Sequence, residues 1–596
     1  MQDAATVLGV LRERGRRGLP LERLYRQLFN PQLYLLAYGR LYSNKGAMTP
    51  GADGETVDGM SMAKIERIID ALRHERYRWR PVRRVWIAKK GSAAKKRPLG
   101  LPSWSDKLVG EVVRLLLEAY YEPRFSTRSH GFRPRRGCHT ALSEVVNTWA
   151  GTTWFIEGDI SDCFGSLDHD VLLGIISEKI HDNRFLRLLR HMLQAGYLED
   201  WQWNATLSGA PQGGVASPIM SNIYLDRLDK FVETVLIREY TQGDVRRPSI
   251  AYREMINAIA RARYRGDRAE VRRLRKQLRV MPSKDLHDPG YRRLRYIRYA
   301  DDHLLGFVGP KAEAEQIKQR LAQFLRDELK LELSEDKTLI THGRTSAATF
   351  LGYEITVQHN QHKLTDGRRS VNGAIGLRVP RAVIKAKCAS YMQRGRPARR
   401  SRLVNLDDHV IISSYGAEYR GIVQYYLLAG DVFRLNRLLW AAQTSLLKTL
   451  ACKYDSTVSK MAARYRATVE TPYGPRKCLQ VSIERGDGRK SLVARFGGIP
   501  LKRQKKAVLE DRRPDSATAR RKGRELIARL RLGRCEICEQ RADVRVHHVR
   551  KLTDLDARDQ PPPLWAQLMA KKRRKTLVVC PPCHRIHIGP HTANTL

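Results

Sequence analysis

The sequence predicts an α+β protein of several domains, and three observations carry that expectation. The chain has 596 residues, and at roughly 150 residues per domain such a length asks for about three to five domains. Up to about residue 360 strand-like and helix-like runs alternate, whereas residues 407–465 read as mostly helical. Near the C-terminus four cysteines stand in two Cys-x-x-Cys pairs within a basic region, which marks a small metal-held domain in a reducing compartment. The other five of the nine cysteines are scattered.

Composition narrows the function. Lys and Arg number 109 against 62 Asp and Glu, a formal charge of +47, while 42% of residues are hydrophobic. That apolar share excludes a disordered polycation. A folded surface of this sign draws polyanions, and nucleic acid leads among them. No run approaches the 18 or so apolar residues that a membrane span requires, so no membrane partner is expected. The first residues, MQDAATVLGVLRERGRRGLPLERL, lack the apolar core and cleavage site of a secretory signal, and Asp3, Glu13 and Glu22 argue against a transit peptide. The expected location is intracellular, in the cytoplasm or on the nucleoid of a bacterium.

Taken in order, the apolar pattern from Leu108 to Tyr120 predicts a helix that breaks before Pro123. TTWFIEGDISDCFGSLDHD begins as a buried strand and delivers Asp159 at its end. Residues 230–293 form a basic insertion with helical periodicity, for which a solvated charged helix is the competing reading. In YIRYADDHLLGFVG, Tyr296–Ala300 and His303–Val308 read as paired strands with Asp301 and Asp302 at the hairpin tip. Adjacent carboxylates repel unless a cation lies beside them. Carboxylates from two such strands, holding two magnesium ions about 3.5–4 Å apart, are the minimum equipment for in-line phosphoryl transfer. Gly, Pro and Arg around residues 394–400 mark a loop, and Lys502–Arg531 is dense in basic residues with few large apolar ones.

The C-terminal constellation is CEIC, VHHV and CPPCHRIH. Cys535, Cys538, Cys580 and Cys583 suit a closed tetrahedral zinc site. His547 and His548 are adjacent, so a strand would point one inward and one outward, and His584 and His587 lie three apart on a helix face. One imidazole of the first pair can ligate a divalent ion with the second pair, and its neighbour is left to deprotonate water.

Several of these segments, in order, resemble the palm motifs of a reverse transcriptase: Asp159 with Phe164 five residues on, PQGGVASP from Pro211 to Pro218, YADD, Lys337 in LSEDKT, and FLGYEI at Phe350–Ile355. Upstream, NKGAMTPGADG and KKRPLGLPSWSDK look like the fingers signatures of group II intron-encoded proteins, the maturase-reverse transcriptases. SSYGAEYRGIVQYYLLAGD resembles their thumb and maturase region, and the histidine pattern resembles an HNH endonuclease of ββα-metal fold. The resemblance implies a right-hand polymerase with fingers and palm over residues 1–360, a helical thumb and maturase domain over 361–475, a basic DNA-binding segment over 476–530, and the nuclease over 531–596.

It also implies roles. Asp159, Asp301 and Asp302 would hold two magnesium ions. Phe164 would exclude a ribose 2′-hydroxyl, against an ordinary core aromatic as the alternative. Lys89 and Arg97 would clamp the triphosphate of the incoming deoxynucleotide. Gln212 and Gly213 would let the backbone approach template and nucleotide, Lys337 would belong to the substrate site, and Leu351 and Gly352 would support the primer end. Tyr415, Tyr419, Tyr425 and Tyr426 recur at helical spacing and are expected in a core, beside basic neighbours that grip intron RNA. His548 would be the nuclease base, with His547, His584 and His587 on its metal. Lys575 stands where that pattern has Asn. The implied protein copies RNA into DNA, assists splicing of its intron and nicks target DNA for retrohoming. A splicing maturase without polymerase activity and a reverse transcriptase of another retroelement type are the alternatives.

Overall fold

The computed structural model describes residues 2–588 except 45, 90–91, 200–201, 205, 207, 210–212, 361–362, 366–367, 370, 486–488, 507–508, 510–516, 550–562 and 573. Helix α1 (Pro31–Leu41), opened by Asn30 as N-cap, and a two-residue strand β1 (Met60–Ser61) precede a long hairpin, β2 (Val82–Lys89) and β3 (Ser92–Leu101). Helix α2 (Trp104–Tyr121) follows, with the Ser103 hydroxyl capping it at the Asp106 amide and a mostly apolar surface buried nearly all round. It ends just ahead of Pro123, as the sequence requires.

A four-stranded sheet follows. Strand β4 (Trp154–Gly158) lies centrally, helix α3 (Ser217–Phe231) packs nearby, and β5 (Arg293–Tyr299), β6 (Asp302–Val308) and β7 (Ile340–His342) complete the order β5-β6-β4-β7. Between α3 and β5 the insertion forms a helical hairpin, α4 (Ile250–Tyr264) and α5 (Arg268–Val280), with a core of its own around Ile259, Ala262 and Leu274. Its base is closed by reciprocal backbone bonds between Gln242 and Arg292, so the insertion proper is shorter than 230–293.

A second core joins the helices α6 (Asp408–Tyr425), α7 (Asn436–Lys453) and α8 (Val458–Tyr465) to the turn at residues 350–353. The boundary expected at 475 cuts through structure. Strand β8 (Arg466–Val469) pairs with β9 (Arg476–Arg485), which pairs with β10 (Arg489–Gly497), and this sheet buries Leu479, Ala494 and Phe496 in the same core. The basic segment therefore begins as part of the helical domain that holds this core. Helix α9 (Ala517–Leu532) sets Leu526 and Leu530 into the N-terminal core. The last unit is the hairpin β11 (Arg545–His548) and β12 (Thr576–Val579) with α10 (Leu564–Lys572) between them. Among the described residues no helix is long and apolar enough to cross a membrane.

Candidate active sites

In the four-stranded sheet, the pairing register does the positioning. Gly158 lies opposite His303 and Tyr299 opposite Asp302, so Asp159 leaves β4 beside the Asp301–Asp302 turn. Ala300 takes a φ of 57° to make that turn. A Cβ on Gly158 would meet the His303 ring at 2.0 Å, and one on Gly131 would meet the Ala300 nitrogen at 2.3 Å, so both glycines are required by close approach.

The electrostatics follow from this convergence. Burial, then the charges of Asp301 and Asp159, push the Asp302 carboxyl up to about 7, and it shares a hydrogen bond with Asp159. Burial likewise raises Asp301, with Asp159 adding to it. Lys337 closes on the Asp159 carboxylate. Hard carboxylate oxygens that repel one another until a cation arrives fit magnesium.

The supporting frame was not read from the sequence. Arg298 is fully buried against Asp229, with Nε and Nη2 donating at 2.7 and 2.6 Å to its two oxygens, while Nη1 donates to the Ala300 carbonyl at 2.7 Å. Tyr296 donates to the same Asp229. Period-two alternation does put Arg298 on the inward face with Leu294 and Tyr296, but a cation on that face is not read as buried until its partner Asp229, distant in sequence, is known.

Phe164 is half-buried in the short helix Cys163–Ser166, its ring edge-on to Phe132 with centroids 6.3 Å apart. Gly213 has a φ of 106° and packs on Gly100, where a Cβ would meet the carbonyl at 2.6 Å. This brings Gly213 against β3, and its neighbour Gly214 helps wall a cavity of ≈ 430 Å³ lined also by Pro98, Asp162 and Val215. Gln212 lies outside the described residues, as does the Lys89 side chain. Arg97 sits exposed on β3 opposite Ile87. Leu351 and Gly352 form a positive-φ turn whose carbonyls accept hydrogen bonds from Tyr425 and Tyr426. Those two tyrosines thus fasten the end of helix α6 to that turn, whereas Tyr415 and Tyr419 are core.

At the C-terminus the sulfur atoms of Cys535, Cys538, Cys580 and Cys583 lie within 4.8 Å of one another. Sγ of Cys538 and Cys580 are 3.8 Å apart, too far for a disulfide and equal to the edge of a tetrahedron with bonds of about 2.3 Å.

The histidines depart from expectation. On β11 both His547 and His548 are buried, because β1 pairs with β11 and α1 covers its other face. His548 is therefore not free to meet water. Its Nδ1 donates to the Val546 carbonyl and its Nε2 accepts from the Tyr38 hydroxyl at 3.2 Å. Burial holds it neutral, its pKa pushed down to about 4. His547 and His584 face each other at 5.7 Å between ring centroids, and the His587 side chain lies outside the described residues. The carbonyl of Lys575 accepts from the Val549 amide, closing the hairpin.

One participant is new. Asp58, just ahead of β1, reaches His547 Nδ1 at 3.2 Å and accepts from the His548 amide at 2.8 Å. Burial would raise its carboxyl, but these bonds and the adjacent imidazoles hold it at about 2. Asp58 and His547 are 489 positions apart along the chain, so no local pattern could link them.

Comparison with known proteins gives three family matches along the chain: reverse transcriptase (RNA-dependent DNA polymerase) over residues 87–355, type II intron maturase over 380–481, and AI2M/AI1M-like HNH endonuclease over 535–584. The chain is 38% identical to the group II intron-encoded protein LtrA of Lactococcus lactis subsp. cremoris, the alignment covering 96% of each. It is 33% identical to an uncharacterized 91 kDa protein in the cob intron of Schizosaccharomyces pombe, over 95% of this chain and 70% of that one. With the putative COX1/OXI3 intron 1 protein of Saccharomyces cerevisiae it shares 30% identity, over 93% and 67%.

Proposed function

The chain belongs to the group II intron-encoded proteins, and on that premise we propose how its residues divide the work. It is an RNA-directed DNA polymerase, an intron maturase and an HNH endonuclease in one polypeptide. The partners are intron RNA, target DNA and deoxynucleoside triphosphates.

The observation that carries the polymerase assignment is the register of β4 against β6, which sets Asp159 beside Asp301 and Asp302. Magnesium ions bound there supply activation of the primer 3′-hydroxyl and charge relief at the leaving pyrophosphate. Asp159, Asp301 and Asp302 hold them. Lys337, paired with Asp159, holds that carboxylate in position until substrate arrives. Phe164 fills the space beside the sugar, Arg97 and Lys89 meet the triphosphate, and Gln212 with Gly213 admits template and nucleotide. The Leu351–Gly352 turn, tied to Tyr425 and Tyr426, fixes the primer end to the thumb.

In the nuclease the four cysteines hold structural zinc, and His547, His584 and His587 face the catalytic ion. His548 serves as base once the hairpin parts from Tyr38, since DNA has no approach to it in the docked arrangement. Nicking by this domain would free a 3′-hydroxyl that the palm extends on intron RNA.

Primer extension on an RNA template with deoxynucleotides and magnesium tests the first claim. Asp301→Asn with Asp302→Asn should abolish synthesis, and synthesis surviving that change would overturn it. Strand nicking should vanish in His548→Ala with zinc content unchanged. Intron splicing with and without protein reads the maturase role separately.

A further inference from the structure

We propose that Asp58, from the polymerase side of the molecule, is a protein ligand of the nuclease metal centre, so that one divalent ion joins the two enzymes. The inference rests on the nuclease reading above and adds a ligand from outside that domain.

The geometry is specific. Ligand atoms of Asp58, His547 and His584 lie within 4.8 Å of one another. The 3.2 Å between Asp58 Oδ1 and His547 Nδ1 matches the edge of a coordination tetrahedron with bonds of about 2.0–2.1 Å, close to 3.3 Å. Two imidazoles and a carboxylate suit a borderline first-row ion such as zinc, cobalt or nickel.

Asp58 is also held in place by architecture. The Gly59 amide donates to the Val546 carbonyl at 3.0 Å, and Met60 and Ser61 pair with Val546 and Arg545, so β1 extends the nuclease hairpin into three strands. Met60 is buried against the Trp104 indole at the start of α2. Residue 58 is thus anchored to the polymerase by its own neighbours and presented to His547 by the strand. Opposite it, His547 packs edge-on to Trp565 at 5.2 Å, which fixes the ring plane that an ion would meet.

The consequence is mechanical. An ion shared by Asp58, His547 and His584 stabilises the docked hairpin, in which Tyr38 covers His548. Releasing the Asp58 ligand is then part of exposing the base to DNA.

The test uses the full chain, with zinc in the four-cysteine site and with Asp301→Asn and Asp302→Asn so that the palm does not compete. Cobalt(II) is titrated and followed by its visible absorption. The parent should bind one cobalt ion beyond the zinc site, and Asp58→Asn, which keeps an oxygen for the His548 amide, should bind it at least about tenfold more weakly. His584→Ala should do the same.

Hydrogen exchange supplies a reading independent of any variant. Cobalt should slow exchange of the amides at 59–61 and 545–548 together in the parent. Equal affinity in Asp58→Asn, no cobalt uptake by the parent, or protection confined to the nuclease strands would each overturn the proposal. Failure of the nuclease reading shows differently, as absence of nicking by the wild-type chain whatever its cobalt affinity.

Discussion

Asp229 and Arg298 form an ion pair with no exposed side-chain surface, and the turn that carries Asp301 and Asp302 hangs from it. Desolvating both charges is costly, and their mutual bonds with those from Tyr296, Asn222, Ser129 and the Ala300 carbonyl offset that cost only while all partners remain. Asp229→Ala should therefore destabilise the palm by about 3–5 kcal/mol in denaturant unfolding, and should lower extension activity more than binding of primer and template. A double change to Leu and Met at 229 and 298 should recover most of the stability but not the activity. Activity returning together with stability in the double variant would show that the pair only holds the fold. At Phe164, replacement by Ala should raise ribonucleotide incorporation relative to deoxynucleotide at least about tenfold, measured by competition. An unchanged ratio would return this ring to simple packing against Phe132.

With zinc in the four-cysteine site, the nuclease element would depend on that ion more than on its apolar interior. Its own buried cluster is small, built on Trp565, Ala566, Met569, Leu577 and Val579 with three of the cysteines, and such a core rarely folds unaided. Stripping zinc with a chelator and restoring magnesium should open residues 533–588 to protease and end nicking, while primer extension persists. Loss of both activities together would mean that the docked hairpin supports the polymerase as well. The same element shows where sequence reading stops. The acidic hairpin was legible because apolar runs flank a two-residue acidic tip within Tyr296–Val308, and pairing alone fixes its register. The cysteine spacing was legible because ligand geometry is local. The break expected at 475 failed because β8 and β9 pair across it, and a basic composition does not reveal which strand face packs on a helix. The free His548 failed because the outward face of β11 is covered by Tyr38, and Asp58 was invisible for the same reason, since both depend on docking between distant parts of the chain.

At the scale of the whole molecule the charge of +47 makes binding to RNA a matter of counterion release, and the hairpin α4–α5 shows how that charge is deployed. Residues 250–284 carry eleven Arg and Lys against three Asp and Glu, and Tyr264 at the tip is 95% exposed. The hairpin packs Ile259, Ala262 and Leu274 against itself, while Ile250 and Ile256 stay exposed. Its base is closed by Ser249 bonding to Ser283 and Asp285 to Arg247, so the palm strands do not need it. Replacing 250–283 by a short Gly-Ser turn should leave unfolding and extension on a short unstructured template unchanged, yet weaken binding to folded intron RNA. Each phosphate that the protein no longer neutralises flattens the slope of log affinity against log salt by roughly 0.7–0.9. A hairpin that lies along an RNA backbone through three to five of its cations should therefore make the slope shallower by about 2 to 4 once it is removed. Binding measured between about 50 and 200 mM salt reads this directly. An unchanged slope would identify α4–α5 as a solvated charged appendage and move the intron-binding surface to the basic strands β8–β10 of the thumb.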